Sequence, residues 1–435
     1  MKIAYIASGA GGMYCGSCLH DNTLAAALMR QGHDVALLPT YTPMRTDEEG
    51  VAGPRVFYGA INVFLASRWP ALARLPRWVT GWLDRPGLLA WVSKRADSTD
   101  ARELGAMTDS VLAGEEGAQA EQLEQLVTWL SDHFRPEVIY LTNSMFAGMA
   151  RRLRRELGVP VVVGLVGEDL FLEDLNEPWR TRVIARLRER AQDVDHFLSP
   201  SRYYAEKMAA LLDVALERVE VVPLGLRLTH HASEPPTRHG APPSVGFFAR
   251  LAPEKGLHLL VEAFCRLAAQ PGRADLRLRV AGYLAGKDVP YVEGLKARLA
   301  AEGLAPRVDW VGEVDLEGKV AFLRSIDLLA VPTVYREAKG LFALEAMANA
   351  TPVVLPRHGS LPEMIEATGG GILVEPGSAE ALAEAIASLL DDPERRQHLG
   401  QTGRRAVLER FGEEEMARAT AAAFERVIDQ TRRIA

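Results

Sequence analysis

At 435 residues the chain is too long for a single hydrophobic core, so two domains are expected. Its 48% hydrophobic and 25% charged content is that of an ordinary soluble globular protein, with no run near the ~18 apolar residues that span a bilayer. A net charge of −7 excludes general attraction to nucleic acid, and three cysteines make no disulfide framework. The apolar start at Met1–Ala7 is too short for a signal peptide. A cytoplasmic protein is expected.

Ile3–Ala7 reads as a buried strand, followed by a loop containing Gly9, Gly11 and Gly12. A helix from Cys18 to Arg30 stops at Gly32, and Asp34–Pro39 is the next strand. This strand, glycine loop, helix, strand unit is an arrangement that approaches phosphates, although its glycines do not match G-x-G-x-x-G. Cys15 and Cys18 form a C-x-x-C that reads as a redox pair, half a metal site, or small residues packing a turn. His20 lies at the helix N-terminus, near any ligand held by Gly11 and Gly12.

Residues 56–95 gather four of the seven tryptophans, Trp69, Trp78, Trp82 and Trp91, among arginines and with few acids. Such a stretch forms an interfacial helix on an anionic membrane, a site for a bulky acceptor, or a helical insertion packed onto the first domain. Residues 97–124 turn acidic and read as a solvated connection. The α/β rhythm then resumes: a helix around Leu123–Leu130, a strand at Val138–Leu141, a helix stopped at Gly158, and a strand at Val161–Leu165. The last of these delivers Glu168 and Asp169, adjacent carboxylates placed for general-base work, hydroxyl binding or helix capping. His196–Ser199 and Val219–Pro223 end the first half. The Pro-, His- and Ser-rich residues 228–243 read as the linker.

A second α/β series opens with the Ser244–Phe248 strand, which runs into Arg250 and Lys255 ahead of a helix beginning near Leu257. Two cations leaving a strand end before a helix N-terminus suit a diphosphate. Strands follow near Leu276–Val280 and Val308–Val311, the latter ending at Gly312-Glu313. After a Leu316–Arg324 helix comes a Leu328–Pro332 strand. Then Glu337-Ala338-Lys339-Gly340-Leu341-Phe342-Ala343-Leu344-Glu345 places one carboxylate on a loop, a glycine at a helix N-terminus, and a second carboxylate a turn inside. Carboxylates on either side of free backbone N–H groups suit a ligand with both hydroxyls and phosphate; otherwise they cap an ordinary helix. Further strands at Thr351–Leu355 and Gly371–Val374 precede two or three helices. The last, from about Glu413, is apolar at Ala417, Ala421, Phe424 and Ile428.

Taken together these motifs resemble the family 4 glycosyltransferases. Glu337 and Glu345 are similar to the family's E-x7-E signature, and Arg250 with Lys255 to its basic pair. The resemblance implies a GT-B fold, two Rossmann-like parallel-sheet domains facing a central cleft, over domains at 1–227 (with a helical, Trp-rich insertion at 45–120) and 244–412. Residues 413–435 would be a helix crossing back to the N-terminal domain. It further implies a nucleoside-diphosphate sugar donor, no metal or other cofactor, and retention of anomeric configuration. Arg250, Lys255, Lys339, Gly340 and Leu341 would serve the donor diphosphate, Gly11 and Gly12 would approach the phosphates, Gly312 and Glu313 would lie near the base, and Glu345 would bind ribose. Glu337 would contact the transferred sugar as a catalytic residue.

The chain departs from the pattern at Ala338 and Lys339, where glycine and phenylalanine are common, and at Val166, where a histidine is. His20, Glu168 or Asp169 would replace that histidine, so His20 and Asp169 join Glu337 as catalytic candidates. Ala350, where glycine is usual, reads as a packing change. The expected function is a retaining glycosyltransferase acting on an acceptor hydroxyl, lipid-linked or saccharide, with peripheral membrane contact through residues 56–95. The alternatives are a nucleotide-sugar 2-epimerase-like isomerase and a silent nucleotide-sugar-binding protein.

Overall fold

The computed structural model describes residues 1–8, 16–40, 50–52, 104–231 and 241–434. Gly11, Gly12, Cys15, the tryptophan-rich segment and part of the 228–243 linker lie outside them. The chain divides into two compact units, Met1–Gly225 with Glu413–Ala435, and Leu226–Gly412.

The first unit is built on strands β1 (Lys2–Ala7), β2 (Asp34–Pro39), β3 (Val138–Leu141), β4 (Val161–Gly164), β5 (His196–Ser199) and β6 (Val219–Val221). They form one sheet in the order β2-β1-β3-β4-β5-β6, with every pairing parallel. Parallel strands are covered by helices on both faces, which is why β3 and β4 are apolar runs buried at every residue. Tyr5 and Tyr140 meet edge to face at 4.7 Å, and Phe424 lies 5.5 Å from Tyr140. Phe424 belongs to the final helix, Glu413–Ile434, whose Ala417, Ala421, Phe424 and Ile428 are all buried in this core. The start of that helix is held by Arg30 and Gln31, both hydrogen-bonded to Glu414.

The second unit has strands β7 (Ser244–Phe248), β8 (Arg277–Ala281), β9 (Val308–Gly312), β10 (Leu328–Ala330), β11 (Val353–Pro356) and β12 (Gly371–Val374). Their order is β12-β11-β10-β7-β8-β9, again all parallel. In each sheet the chain runs out one way and returns past its first strand. The order reverses between β1 and β3 and between β7 and β10, and crevices at the carboxyl ends of such strand pairs are where open α/β sheets bind ligands.

Two expectations are corrected. Residues 104–124 are not a solvated connection: helices at Gly105–Leu112 and Ala120–Trp129 bury Val111, Leu112, Leu123 and Leu126. Their acids meet arginines of later helices, Asp109 with Arg182 and Arg186 and Glu115 with Arg155, so the acidic composition marks cross-element pairing. Ala350 is more than a packing change. Its φ of 57° lies in the left-handed region, where a Cβ is disfavoured and glycine would be relaxed.

Candidate functional site

The carboxyl ends of β7 and β10 lead into two loops tied together by backbone contact. Gly256 has φ 75°, and a Cβ there would sit 1.8 Å from the Pro332 carbonyl oxygen, so only glycine lets the loop after β7 reach the loop after β10. That approach places Lys255 beside Glu337. Lys255 Nζ donates to Glu337 Oε2 at 2.7 Å and to the Tyr335 hydroxyl, which in turn donates to the same carboxylate oxygen. Lys255 also lies over the rings of Tyr335 and Phe342, at 4.8 and 5.5 Å. The Lys339 amide donates to Glu337 Oε1 at 3.3 Å.

Glu337 is buried, and burial pushes its carboxyl up. The Lys255 charge and the donors around it outweigh that effect and hold it at about 2. Burial and the neighbouring Glu337 charge push the Tyr335 phenol well above its usual range. Glu337 is therefore a fixed anion at physiological pH, unsuited to act as an acid.

A second connection fixes the Glu337 loop from behind. The Ser360 amide donates to the Glu337 carbonyl at 2.8 Å, and a Cβ on Gly359 (φ 62°) would lie 2.4 Å from that same oxygen. His358 Nε2 is 2.9 Å from the Thr333 carbonyl. Thr333 Oγ1, His358 Nδ1 and Ser360 Oγ are buried here without a hydrogen-bond partner.

Gly340, at φ 70°, caps the Leu341–Ala348 helix, whose Leu-Phe-Ala-Leu-Glu-Ala-Met-Ala sequence is dominated by strong helix formers. Glu345 lies one turn in, buried, with Oε1 accepting from Lys319 Nζ at 2.8 Å. The two signature carboxylates thus have a lysine each. Lys319 was not singled out in the sequence because a lysine in a helical run is ordinarily a solvated one. Tyr335 gave no signal either.

The remaining second-unit candidates are spread more widely. Arg250 is on the surface, paired with Glu254 of its own loop, although its charge is felt at Tyr335. Gly312 ends β9, its carbonyl accepting from the Gly282 amide, and Glu313 is exposed beyond it.

In the first unit, His20 is on the first turns of the Gly16–Arg30 helix, with Nδ1 3.3 Å from Asp21 Oδ1. Asp21, which the sequence did not flag, is buried and accepts from the Tyr5 hydroxyl and from Thr142 Oγ1, both at 2.7 Å. It thereby joins the carboxyl ends of β1 and β3 to the helix. Asp169 is buried and held by Lys207 Nζ at 2.6 Å and by Tyr204. Glu168 accepts from the Ser144 amide and hydroxyl, the Val166 amide and Tyr204. These contacts make Glu168 an anchor of its own loop; its side chain does not cap the Asp169–Glu173 helix that follows, so the capping reading is not met.

Among the described residues no helix is long and apolar enough to cross a membrane, and no cluster of three metal-ligating side chains occurs.

Both halves of the chain are similar to known proteins. The family description "Glycosyl transferase 4-like domain" matches residues 22–225, and "Glycosyl transferases group 1" matches residues 232–406. The chain is 35% identical over 158 residues to the D-inositol 3-phosphate glycosyltransferase of Corynebacterium efficiens, covering 36% of this chain and 37% of that protein. A protein of the same description from Segniliparus rotundus is 27% identical over 376 residues, covering 79% of this chain and 80% of that one. The first of the curated relatives are matched over only 37 to 51% of their own length. Among solved structures, Anabaena HepE in complex with UDP superposes with a TM-score of 0.68 at 17% identity, covering 98% of this chain and 100% of that one. That likeness speaks for the fold. With both halves of the chain matched and each half built on a parallel six-stranded sheet, this chain belongs to the family 4 glycosyltransferases of GT-B fold.

Proposed function

We propose that this protein is a retaining glycosyltransferase that moves a sugar from a nucleoside-diphosphate sugar to an acceptor hydroxyl. The observation that carries the reading is the Lys255–Tyr335–Glu337 cluster at the switch point of the second sheet, just ahead of the Leu341–Ala348 helix N-terminus. Lys255 has three N–H groups and spends two on Tyr335 and Glu337, so its third can serve a phosphate oxygen. Arg250, the Lys339 side chain and the Gly340 and Leu341 amides complete a cationic cradle for the diphosphate. That cradle offsets leaving-group charge in the way a metal would elsewhere, which supports a metal-independent reaction.

Glu337, kept ionised, accepts a hydroxyl of the transferred sugar and opposes the positive charge that develops as the glycosidic bond breaks. Glu345 binds the ribose hydroxyls, with Gly312 and Glu313 near the base. On the first unit His20, next to Asp21, and Asp169, held by Lys207, remain the catalytic candidates.

The test has two parts. A thermal-shift panel of uridine, guanosine and adenosine diphosphate sugars identifies the donor through its stabilisation. Turnover is then measured with candidate acceptors, in wild type and in Glu337→Ala. The variant should retain nucleoside-diphosphate affinity and lose turnover. Conversion of the nucleotide sugar to an epimer without acceptor would overturn the reading in favour of an isomerase, and binding without turnover of any acceptor would favour a silent binder.

A further inference from the structure

Lys319 occupies a position that its helix should fill with an apolar residue. The Leu316–Arg324 helix, begun by Asp315 capping the Gly318 amide at 2.8 Å, buries Phe322 and Leu323. Lys319 precedes them by three and four residues and shares their inward face. Lysine is almost never buried unless paired. Here the pair is Glu345: Nζ to Oε1 is 2.8 Å, with the two side chains only 8% and 9% exposed.

The surrounding contacts leave the lysine little freedom. Thr351 Oγ1 donates to the Leu323 carbonyl at 2.7 Å, and Arg324 Nε donates to Asn349 Oδ1 at 2.9 Å. Asn349 Nδ2 in turn donates to the Glu345 carbonyl at 2.9 Å. The helix that carries the lysine is thus pinned to the helix that carries the carboxylate, and the reach from Cα to Nζ is fixed by the fold.

We infer that Lys319 is a positioning residue for nucleotide recognition: its ion pair holds the Glu345 carboxylate in one orientation, and so sets the preference of the site for a ligand with intact ribose hydroxyls. The inference rests on the ribose role proposed for Glu345. A carboxylate without a neighbouring cation turns about its last bond and repels an incoming diphosphate. With Nζ on Oε1 the plane of the carboxylate is set, which leaves Oε2 as the oxygen to accept a ribose hydroxyl. The lysine needs no contact with the nucleotide to have this effect.

Isothermal titration with UDP, GDP and ADP, and with the 2′-deoxy and 3′-deoxy forms of whichever binds, tests the assignment. The proteins are wild type, E345Q, K319M and the double variant K319M/E345Q. Methionine keeps the volume of lysine and removes its charge. E345Q should weaken the ribonucleotide about tenfold and erase the ribo-over-deoxy preference. K319M should lose that preference although Glu345 is still present, and the double variant should bind no worse than K319M. If K319M keeps the wild-type preference within about twofold while E345Q loses it, the positioning role is wrong and the ribose role stands. If E345Q itself changes nothing, the ribose role falls, a result distinct from the first. Should K319M fail to fold, K319L, which likewise places no donor at Oε1, takes its place, and an unchanged preference in K319L overturns the proposal equally.

Discussion

Glu337 meets a lysine, a tyrosine hydroxyl and a backbone amide within one loop, and its chemistry follows from that company. A group whose folded pKa is depressed stabilises the fold at every pH above its unfolded value. That stabilisation is lost as pH falls through the folded value. For Glu337 the window runs from the ordinary glutamate range down to about 2. Glu337→Gln should therefore cost on the order of 3 kcal/mol at neutral pH, where it also leaves the half-buried Lys255 without its anion. The gap to wild type should narrow as the solution is acidified through that window, read from urea midpoints at several pH values. Its turnover should fall by about a thousandfold or more if the carboxylate opposes charge in the transition state. Tyr335→Phe removes one donor from the same oxygen and should have a smaller effect, roughly tenfold in turnover, since Lys255 remains.

At the scale of elements, the site depends on loops that approach one another too closely for side chains. Gly359→Ala would force a methyl to within 2.4 Å of the Glu337 carbonyl oxygen in a left-handed backbone conformation. We expect a loss of about 2–4 kcal/mol in stability together with loss of turnover, checked by denaturant unfolding and by the donor assay on the folded fraction. The turn after the Leu341–Ala348 helix behaves in the opposite sense. Ala350 has φ 57°, so Ala350→Gly relieves backbone strain. Part of the gain is given back in unfolded-chain entropy, and a net stabilisation of about 0.5–1 kcal/mol is expected, measured as a shift of the urea midpoint. An unshifted midpoint would mean that the methyl at Ala350 packs well enough to offset the strain.

The whole molecule has two cores, and the chain visits the first of them twice. The first unit includes residues 413–435, so part of its interior is supplied by sequence that follows the entire second unit. Phe424→Ala should open a cavity beside Tyr140 and cost about 3–5 kcal/mol. Because Phe424 is buried in the first unit, the loss should fall on that unit's unfolding transition and leave the other in place. Fluorescence and circular dichroism followed through a urea titration would separate the two. A single transition that shifts as a whole would instead show that the two units unfold as one.

The sequence by itself determined the element order and which loop and helix carry the candidate carboxylates. Strands β3, β5 and β7 and the Leu316–Arg324 helix have the bounds that periodicity gives, because apolar runs of a parallel sheet and amphipathic helices are local patterns. The spacing of Glu337 and Glu345 marked a loop and the helix that follows it, because a glycine at a helix start and a carboxylate one turn later are also local. What each carboxylate touches was not local. Lys255 was legible as a cation after a strand, but its place beside Glu337 follows from the approach of Gly256 to Pro332 across β7 and β10. Lys319 and Asp21 look like surface charges in the sequence. They became buried partners of Glu345, and of Tyr5 and Thr142, only when the sheets brought distant segments together. Composition read residues 104–124 as solvated for the same reason: the arginines that neutralise their acids lie on other helices. Periodicity reports which way a side chain faces, and only the tertiary fold decides what it faces.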